Sequence, residues 1–323
     1  MDSLVNLFNG FQVALSGSNL LFCLLGVSLG MVVGILPGIG PVAGIALLIP
    51  LTYDLDPTTA IIMLSGIYYS CMYAGTITSV LINVPGETAS VITCIDGYQM
   101  AKNGRAGAAL GVAAIGSFVG SIVTLLLLAF AGPKIAEIAL SFGPAEFLSV
   151  MFLGLMMVNA LMGKSFIKGM MATFIGLFLA TVGMDPISGT ARFTFNNMHL
   201  IDGIDFVIMA MGLFGISEIF LSIDESGTFN PQEKISGFLP KKEERKSTFF
   251  SIIRGTLIGG ALGMVPGATP SISSIMSYSV DKKLSKDPSR FGHGAIEGVA
   301  GPETANNAHA GASLIPLFTM GIP

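Results

Sequence analysis

Two kinds of residue interrupt a sequence that is otherwise apolar, and each has the chemistry to bind an ion. The stretch EGVAGPETANNAHAG, residues 297 to 311, places carboxyl and amide groups directly before the apolar run ASLIPLFTM. Such groups are costly within or against a membrane span, so an ionisable side chain there is a functional hypothesis by default. We predict that four residues coordinate Na⁺ or carry a proton: Glu297, Glu303, Asn306 and Asn307. The alternative is a cytoplasmic re-entrant loop whose glutamates are solvated.

Glycine and hydroxylic residues form the second kind, and they follow Pro-Gly pairs at 37–38, 85–86 and 266–267. Unpaired backbone groups at membrane depth must be satisfied by protein or water, so such breaks belong beside a cavity. A half-helix that begins after a break presents free N–H groups and the positive end of its dipole, which suits a carboxylate. The predicted substrate-binding residues are Gly38, Gly40, Gly86, Thr88, Ser90, Gly267, Thr269 and Ser271. The alternative is that Gly and Pro only let crossing helices pack closely.

The composition places these residues in a membrane protein. Hydrophobic residues make up 52% of the 323 residues, charged residues make up 11%, and the mean hydropathy is +0.75. Apolar stretches have about the ~17–25 residues that a membrane-spanning helix requires, and they lack the alternation of a membrane barrel. They lie near residues 18–36, 58–83, 107–131, 145–162, 168–184, 204–222 and 248–265. We therefore predict an all-α polytopic membrane protein.

Several other functions have no support in the sequence. The net charge is −4, and no cluster of Lys or Arg is interleaved with aromatic residues, so nucleic acid is not an expected partner. Neither G-x-S-x-G nor H-E-x-x-H is present, and GKS at 163–165 lacks the glycine that a phosphate-binding loop needs at position 158. The cysteines lack metal-ligand spacing, and His293 and His309 are weak metal candidates. We therefore predict no catalytic residues and no metal site.

Basic residues indicate which loops lie in the cytoplasm. The polar interval 223–247 carries five of the sixteen basic residues and is cytoplasmic by the positive-inside rule. The same rule assigns to the cytoplasm the loops that contain Lys102 and Arg105, Lys164 and Lys168, and Lys282, Lys283, Lys286 and Arg290. The loop 52–57 has two Asp and no basic residue, and the loop 185–205 is acidic, so both are placed outside.

Two motifs indicate an internal repeat. GILPGIGP at 34–41 and GMVPGATP at 263–270 share the pattern G-x-x-P-G-x-x-P, so that Pro37 in the first corresponds to Pro266 in the second. Pro85 and Pro323 follow in the same order, with a slightly longer separation. The loop after the first motif is acidic and the loop after the second is basic, so we predict that the two copies are inverted relative to each other.

The predicted fold class is therefore an inverted-topology repeat with broken helices, in which residues 41–52 and 268–280 are re-entrant half-helices. Residues 1–323 form a single membrane domain. It is divided into a first repeat at 18–222, a cytoplasmic loop at 223–247 and the start of an incomplete second repeat at 248–323. A second repeat of full length would extend to about residue 451, so we expect the chain to be truncated within it.

Six stretches carry a resemblance to a known family: GILPGIGPVAGIALLIPLTYDLDP, GIYYSCMYAGTITSVLINVPGETAS, DGYQMAKNGRAGAALG, DPISGTARFTF, GLFGISEIF and EGVAGPETANNAHAGASLIPLFTMGIP. Over essentially its whole length the chain resembles the large membrane subunit of the tripartite tricarboxylate transporter family (the TctA family). The resemblance implies secondary active uptake of a di- or tricarboxylate such as citrate across the bacterial inner membrane, with Na⁺ or H⁺ as the coupling ion. It also implies two partners, a small membrane subunit and a periplasmic solute-binding protein, and no cofactor.

Two other function classes are alternatives to a transporter. A passive anion channel would share the broken helices but would need neither cation coupling nor a binding protein. A membrane-embedded enzyme would need a convergent nucleophile or a set of metal ligands, which the sequence does not show.

Overall fold

The fold is that of a computed structural model, which describes residues 2–36, 40–140, 143, 145, 148–149, 166–185, 188–204, 237–265 and 268–320. The helices are α1 (Asp2–Ala14), α2 (Gly17–Ile35), α3 (Gly40–Leu48), α4 (Pro57–Ile82), α5 (Val91–Lys102), α6 (Ala106–Leu140), α7 (Phe166–Leu179), α8 (Arg245–Gly263), α9 (Pro270–Leu284) and α10 (Glu297–Met320). Short 3₁₀ turns occupy Ile49–Thr52, Thr88–Ser90, Met198–Leu200, Lys242–Glu244 and Pro288–Arg290. One antiparallel hairpin pairs β1 (Gly183–Met184) with β2 (Ala191–Arg192).

Long apolar helices agree with a helical membrane protein. α2, α4 and residues Ala106–Gly132 of α6 are long and apolar enough to cross a membrane. The predicted stretches 145–162 and 204–222 lie almost wholly outside the described residues. The stretch 168–184 is helical only as far as Leu179, because the chain then turns into the hairpin at Gly183, whose φ of 120° suits glycine.

The first unit consists of α2, α3 and α4, and its two long helices run in the same direction. Three glycines of α2 lie against successive turns of α4: Gly26 against Met63, Gly30 against Ile67 and Gly34 against Cys71. A Cβ atom on any of these glycines would come within 3.0 Å of α4, so their spacing lets the two backbones touch. At the start of both helices, Thr59 Oγ1 donates to Asn19 Oδ1 at 2.6 Å. The residue numbers rise together along the contact, so α2 and α4 are parallel.

This parallel packing requires the intervening segment to carry the chain back along α2. The segment leaves the end of α2 at Leu36, and it must reach Pro57, where α4 begins beside the start of α2. A re-entrant half-helix would instead return to the end at which it entered. The prediction that residues 41–52 are re-entrant is therefore wrong, because α3 and its 3₁₀ turn connect opposite ends of the parallel pair.

The second unit consists of α8, α9 and α10, and it repeats these backbone contacts. Gly255 lies against Gly301, Gly259 against Ala305 and Gly263 against His309. Each of these α8 glycines is separated from its counterpart in α2 by the same number of residues as Pro266 is from Pro37. Each partner in α10 is separated from its counterpart in α4 as Pro323 is from Pro85. The order of the contacts makes α8 and α10 parallel as well.

α9 returns the chain within the second unit as α3 does within the first. Near the end of α8, Ser273 Oγ lies 2.8 Å from His309 Nδ1. Toward the start of α8, Asp281 accepts a hydrogen bond from Ser251, and at the middle of α8 it pairs with Arg254 at 2.6 Å. The re-entrant interpretation of residues 268–280 is wrong for the same reason as that of 41–52.

The two units pack against each other in opposite directions. Thr76 Oγ1 of α4 donates to Glu303 Oε2 of α10 at 2.5 Å, whereas Tyr69, two turns earlier in α4, lies against Gly311. Residue numbers therefore rise in one helix as they fall in the other, which makes α4 and α10 antiparallel. An apolar core fills the space between α4, α5, α6 and α10, and it includes Val80, Met100, Val112, Ile296 and Val299.

The antiparallel packing separates loops of different charge. The acidic loop lies where α4 begins, and its Asp56 Oδ2 accepts the N–H of Thr59 at 3.1 Å. Basic loops gather at the other end, where α10 begins. There Arg105 pairs with Glu244 at 2.6 Å and Arg290 pairs with Glu297 at 3.3 Å.

Candidate functional site

The break at Pro85-Gly86 is held in place by backbone contacts. Gly86 N donates to Gly75 O at 3.3 Å, and a Cβ atom on Gly86 would overlap the Cα of Gly75. Ser90 Oγ accepts from Glu87 N at 3.3 Å and donates to Glu87 O at 2.9 Å. These bonds turn Glu87 inward, where it is 8% exposed. Gly86 and Ser90, both predicted to bind substrate, thus pack and close the turn.

A hydrogen bond between two other predicted substrate-binding residues joins the units. Ser271 Oγ donates to Thr88 Oγ1 at 2.9 Å. Gly40 starts α3 with a φ of 60°, and a Cβ atom there would lie 3.7 Å from the Cβ of Glu87. Thr269 precedes α9 and is exposed, as is Thr88. We call Gly40, Thr88, Thr269 and Ser271 the rim; Gly38 and Gly267 lie outside the described residues.

Glu303 lies below the rim on α10 and is 1% exposed. Its Oε2 accepts from Thr76 Oγ1 at 2.5 Å, and its Oε1 accepts from Thr93 Oγ1 of α5. The stretch 297–311 is thus the first part of a helix packed against α4, α5 and α6. The alternative interpretation, a loop with solvated glutamates, is wrong because this carboxylate is buried and bound by two hydroxyl groups.

Asn306 connects α10 to the break of the first unit. It follows Glu303 by three residues, which places both side chains on one face of the helix. Its Nδ2 donates to Glu87 Oε1 at 2.7 Å, and the residue is fully buried. Glu87, Glu303 and Asn306, with Thr76 and Thr93, form what we call the buried polar cluster.

The other two residues of the predicted cation set lie elsewhere. Glu297 is at the start of α10 and pairs with Arg290 among the basic loops. Asn307 points toward α6, where its Nδ2 donates to Ser117 Oγ at 2.8 Å, and it also donates to Glu303 O at 3.1 Å. The structure therefore brings together Glu303 and Asn306 but separates them from Glu297 and from the side-chain contact of Asn307.

The buried polar cluster has an unusual charge environment. Among the described residues neither Glu87 nor Glu303 is paired with a basic side chain, since the ion pairs there use Asp185, Glu244, Asp281 and Glu297. Both carboxylates are bound by neutral donors. Two carboxyl groups in one buried region favour a bound cation or a bound proton, because a buried negative charge without a partner is costly.

Other buried polar groups have structural partners. Asp96 Oδ1 accepts three backbone N–H bonds, from Gly292, Gly294 and Ala295, at 2.8–2.9 Å. Its Oδ2 accepts from Tyr278 at 2.9 Å, so this carboxylate anchors the loop before α10. In the described part of the chain no group of three or more His, Cys, Asp or Glu side chains is placed to hold a metal ion.

Sequence reasoning missed Glu87, Thr76 and Thr93. Glu87 carried a usable signal, since it directly follows Pro85-Gly86 and the rule for ionisable groups at membrane depth applies to it as it does to 297–311. The two threonines carried none, because the carboxylate that they bind lies 227 and 210 residues away in the chain.

Comparison with known proteins matches residues 20–323 to the tripartite tricarboxylate transporter TctA family. Two relatives come from Agrobacterium vitis. An uncharacterized 52.8 kDa protein in the TAR-I ttuC′ 3′ region is 49% identical over 324 residues, which cover 100% of this chain and 64% of the relative. An uncharacterized protein in the TAR-II ttuC′ 3′ region is 63% identical over 65 residues, 20% of this chain and 27% of the relative.

The chain spans less than two thirds of the length of the first of these relatives. No solved structure matches it. The family match nevertheless covers nearly the whole chain and includes both units with their Pro-Gly breaks. The chain therefore belongs to the tripartite tricarboxylate transporter TctA family.

Proposed function

We propose that the protein is the large membrane subunit of a secondary transporter that imports a di- or tricarboxylate, such as citrate, together with a cation. Family membership supports a role in transport, and the long apolar helices support a membrane location. Since the chain covers 64% of the first relative, the proposal concerns the activity of the whole protein.

We also propose that the two units are inverted-topology repeats. Three pairs of equivalent glycines with a constant separation, and the antiparallel packing of α4 on α10, support this relation. Inverted repeats in secondary transporters place substrate and ion sites at the interface between the repeats. The rim and the buried polar cluster both lie at such an interface.

The observation that carries the transport proposal is the hydrogen bond between Thr88 and Ser271. These residues come from the broken segments of the two different units. Together with the N–H groups at the start of α9 they offer neutral donors to a carboxylate. Because the rim draws on both units, a shift of one unit against the other would open and close the site.

The position of Glu87 supplies a reason for cation coupling. A substrate carboxylate at the rim would lie next to Thr88, and Glu87 is the residue before Thr88. The negative charges of the substrate and of Glu87 would repel each other at this short range. A cation bound in the buried polar cluster would remove that repulsion. Substrate and cation would then bind together, which is the requirement for symport.

The proposed partners are a small membrane subunit and a periplasmic solute-binding protein, and the proposed location is the bacterial inner membrane. The family description, a tripartite transporter, supports the need for partner subunits. The binding protein would deliver the carboxylate to the rim. Much of the choice between carboxylates would then occur before the substrate reaches this chain.

Uptake by the reconstituted complex tests the proposal. Proteoliposomes that contain this protein, the small membrane subunit and the binding protein would receive labelled citrate under an imposed Na⁺ gradient or pH gradient. We expect accumulation above the external concentration that requires one gradient and the binding protein. Equilibration without accumulation, independent of both, would indicate the alternative function, a passive anion channel.

A further inference from the structure

The surroundings of Glu87 differ from those of Glu303. Both oxygen atoms of Glu303 accept hydroxyl hydrogens, from Thr76 and Thr93, so its charge is stabilised in place. Among the described residues the Glu87 carboxylate receives one hydrogen bond from another side chain, from Asn306 Nδ2 to Oε1. The capping box of the Thr88–Ser90 turn also directs the backbone N–H of Ser90 toward the Glu87 side chain. Glu87 thus has one side-chain donor where Glu303 has two, and since each carboxylate oxygen has two lone pairs, its carboxylate can take a further ligand.

Asn306 leaves a second oxygen available beside it. Asn306 is fully buried, and its Oδ1 has no hydrogen-bond partner among the described residues. A buried polar atom without a partner is uncommon, because no hydrogen bond offsets its loss of contact with water. The amide nitrogen of the same group is bound to Glu87, so Oδ1 lies in the immediate neighbourhood of that carboxylate.

A hard monovalent cation fits this pair of oxygen atoms. Carboxylate and amide oxygens are the ligands that such cations take in proteins. The charge of Glu303, which lies one turn before Asn306 on the same face of α10, adds to the negative potential. A proton on Glu87 is the alternative, since the resulting O–H would donate to Asn306 Oδ1. Addition of Na⁺ and acidification therefore give different outcomes in the melting experiment below.

We infer that Glu87 and Asn306 provide the site for a Na⁺ ion, with Glu303 as a fixed counter-charge that does not ligate it. The inference rests on the proposed transport function and assigns its coupling ion to named atoms. Glu87 is the neighbour of Thr88, and its Cβ lies close to Gly40, so the ion would bind directly beneath the rim. Glu297 and Asn307, which the sequence also suggested, have no part in this site.

Thermal melting of the purified protein tests the inference without transport. A ligand that binds the folded state raises the melting temperature with its concentration. We expect NaCl, substituted for choline chloride at constant ionic strength, to raise the melting temperature of the wild-type protein and to saturate. Glu87→Gln should abolish the Na⁺-specific rise, and Asn306→Ala should increase the half-maximal NaCl concentration roughly 10- to 100-fold.

Glu243→Gln is the matched control, because it makes the same chemical change at an exposed glutamate of the Lys242–Glu244 turn. It should keep the full response to NaCl. If Glu87→Gln does not fold, Asn306→Ala alone tests the inference. An unchanged half-maximal NaCl concentration in Asn306→Ala then overturns it.

Three other outcomes would also overturn it: a Na⁺ response retained in Glu87→Gln, no Na⁺ response in the wild type, or stabilisation by acidification in place of Na⁺. Citrate uptake by the reconstituted wild-type complex separates this failure from failure of the proposed function. Normal uptake without a Na⁺ response rejects only the ion site, whereas absence of uptake under either gradient rejects the transport proposal.

Discussion

The two units have the same backbone contacts but different side chains. In both, glycines four residues apart on the first helix touch the backbone of the third: Gly26, Gly30 and Gly34 in the first unit, and Gly255, Gly259 and Gly263 in the second. Close approach of two backbones leaves no room for a Cβ atom. The requirement is steric and therefore the same wherever the packing recurs.

The intervening helices show how far the side chains have diverged. α3 reads GPVAGIALL, whereas α9 begins PSISSIMS and carries serines at buried positions. Gly44 contacts Cys71 Sγ in the first unit, and at the equivalent positions Ser273 bonds His309 in the second. By the same correspondence that pairs Cys71 with His309, Glu303 and Asn306 occupy the positions equivalent to Ser65 and Tyr68.

This difference indicates that the two units contribute different chemical groups to the interface between them. The second unit supplies a carboxylate and an amide from one helix face, while the first supplies Glu87 and Thr76 around its break. Packing constrains the glycines of both units equally, whereas the side chains of the buried polar cluster are contributed where the two units face each other. The four predictions below test this comparison.

Opposite orientation of the units gives the largest expected effect, because it is all or none. Single cysteines would replace Asp54 and Lys283, both exposed, in a protein whose native cysteines have been removed. A membrane-impermeant thiol reagent should label Asp54→Cys in cells whose outer membrane is permeable. It should label Lys283→Cys only after the inner membrane is opened. Labelling of both from one side contradicts the inverted arrangement.

The shared glycine contacts predict a large loss of stability in either unit. Gly30→Ala and Gly259→Ala would push a Cβ atom into the backbone of α4 and α10 respectively, and overpacking of this kind costs about 1–3 kcal/mol or more. Both variants should melt at a lower temperature in detergent. Gly176→Ala is the control, because nothing lies within 4 Å of its added Cβ. A loss in only one unit would mean that the contacts are not equivalent.

Because the two units carry different polar side chains, we expect substitutions at equivalent positions of the two units to have unequal effects on uptake. Glu303→Gln removes the counter-charge of the buried polar cluster and should change the cation dependence of uptake by more than tenfold, since hydrogen bonds to a charged group contribute about 1.5–3 kcal/mol. Substrate binding by the periplasmic protein should not change. Ser65→Ala, at the equivalent position of the first unit, should transport normally. Unaltered coupling in Glu303→Gln at normal expression would remove the cluster from the mechanism.

The rim predicts a smaller effect on affinity. Ser271→Ala removes the hydroxyl that bonds Thr88, and loss of one hydrogen bond to a charged substrate should weaken apparent affinity about tenfold or more. Ser279→Ala is the control on the same helix, because its exposed hydroxyl bonds the carbonyl of Ile275 in its own helix. Concentration dependence of citrate uptake measures both. Equal affinities in the two variants would place the substrate elsewhere.

Much of this architecture follows from the sequence alone. Apolar runs of spanning length determine the helices, because a helix satisfies its own backbone groups in lipid. The Pro-Gly motifs at 37–38 and 266–267 reveal the two units, since equivalent packing demands the same small residues at the same spacing. The polar character of 297–311 within apolar surroundings marks α10 as the helix that carries ionisable groups.

Only the tertiary structure decided how these parts meet. The length of 41–52 suggested a re-entrant segment, but the contacts between α2 and α4 show that the chain crosses back, because glycine packing sets helix direction and segment length does not. Likewise Glu297 and Glu303 lie in the same polar stretch of the sequence. In the structure, however, Glu297 pairs with Arg290, whereas Glu303 is bound by Thr76 and Thr93. A carboxylate is stabilised by whichever donors the fold brings within hydrogen-bond distance, and donors from remote parts of the chain leave no trace in the local pattern.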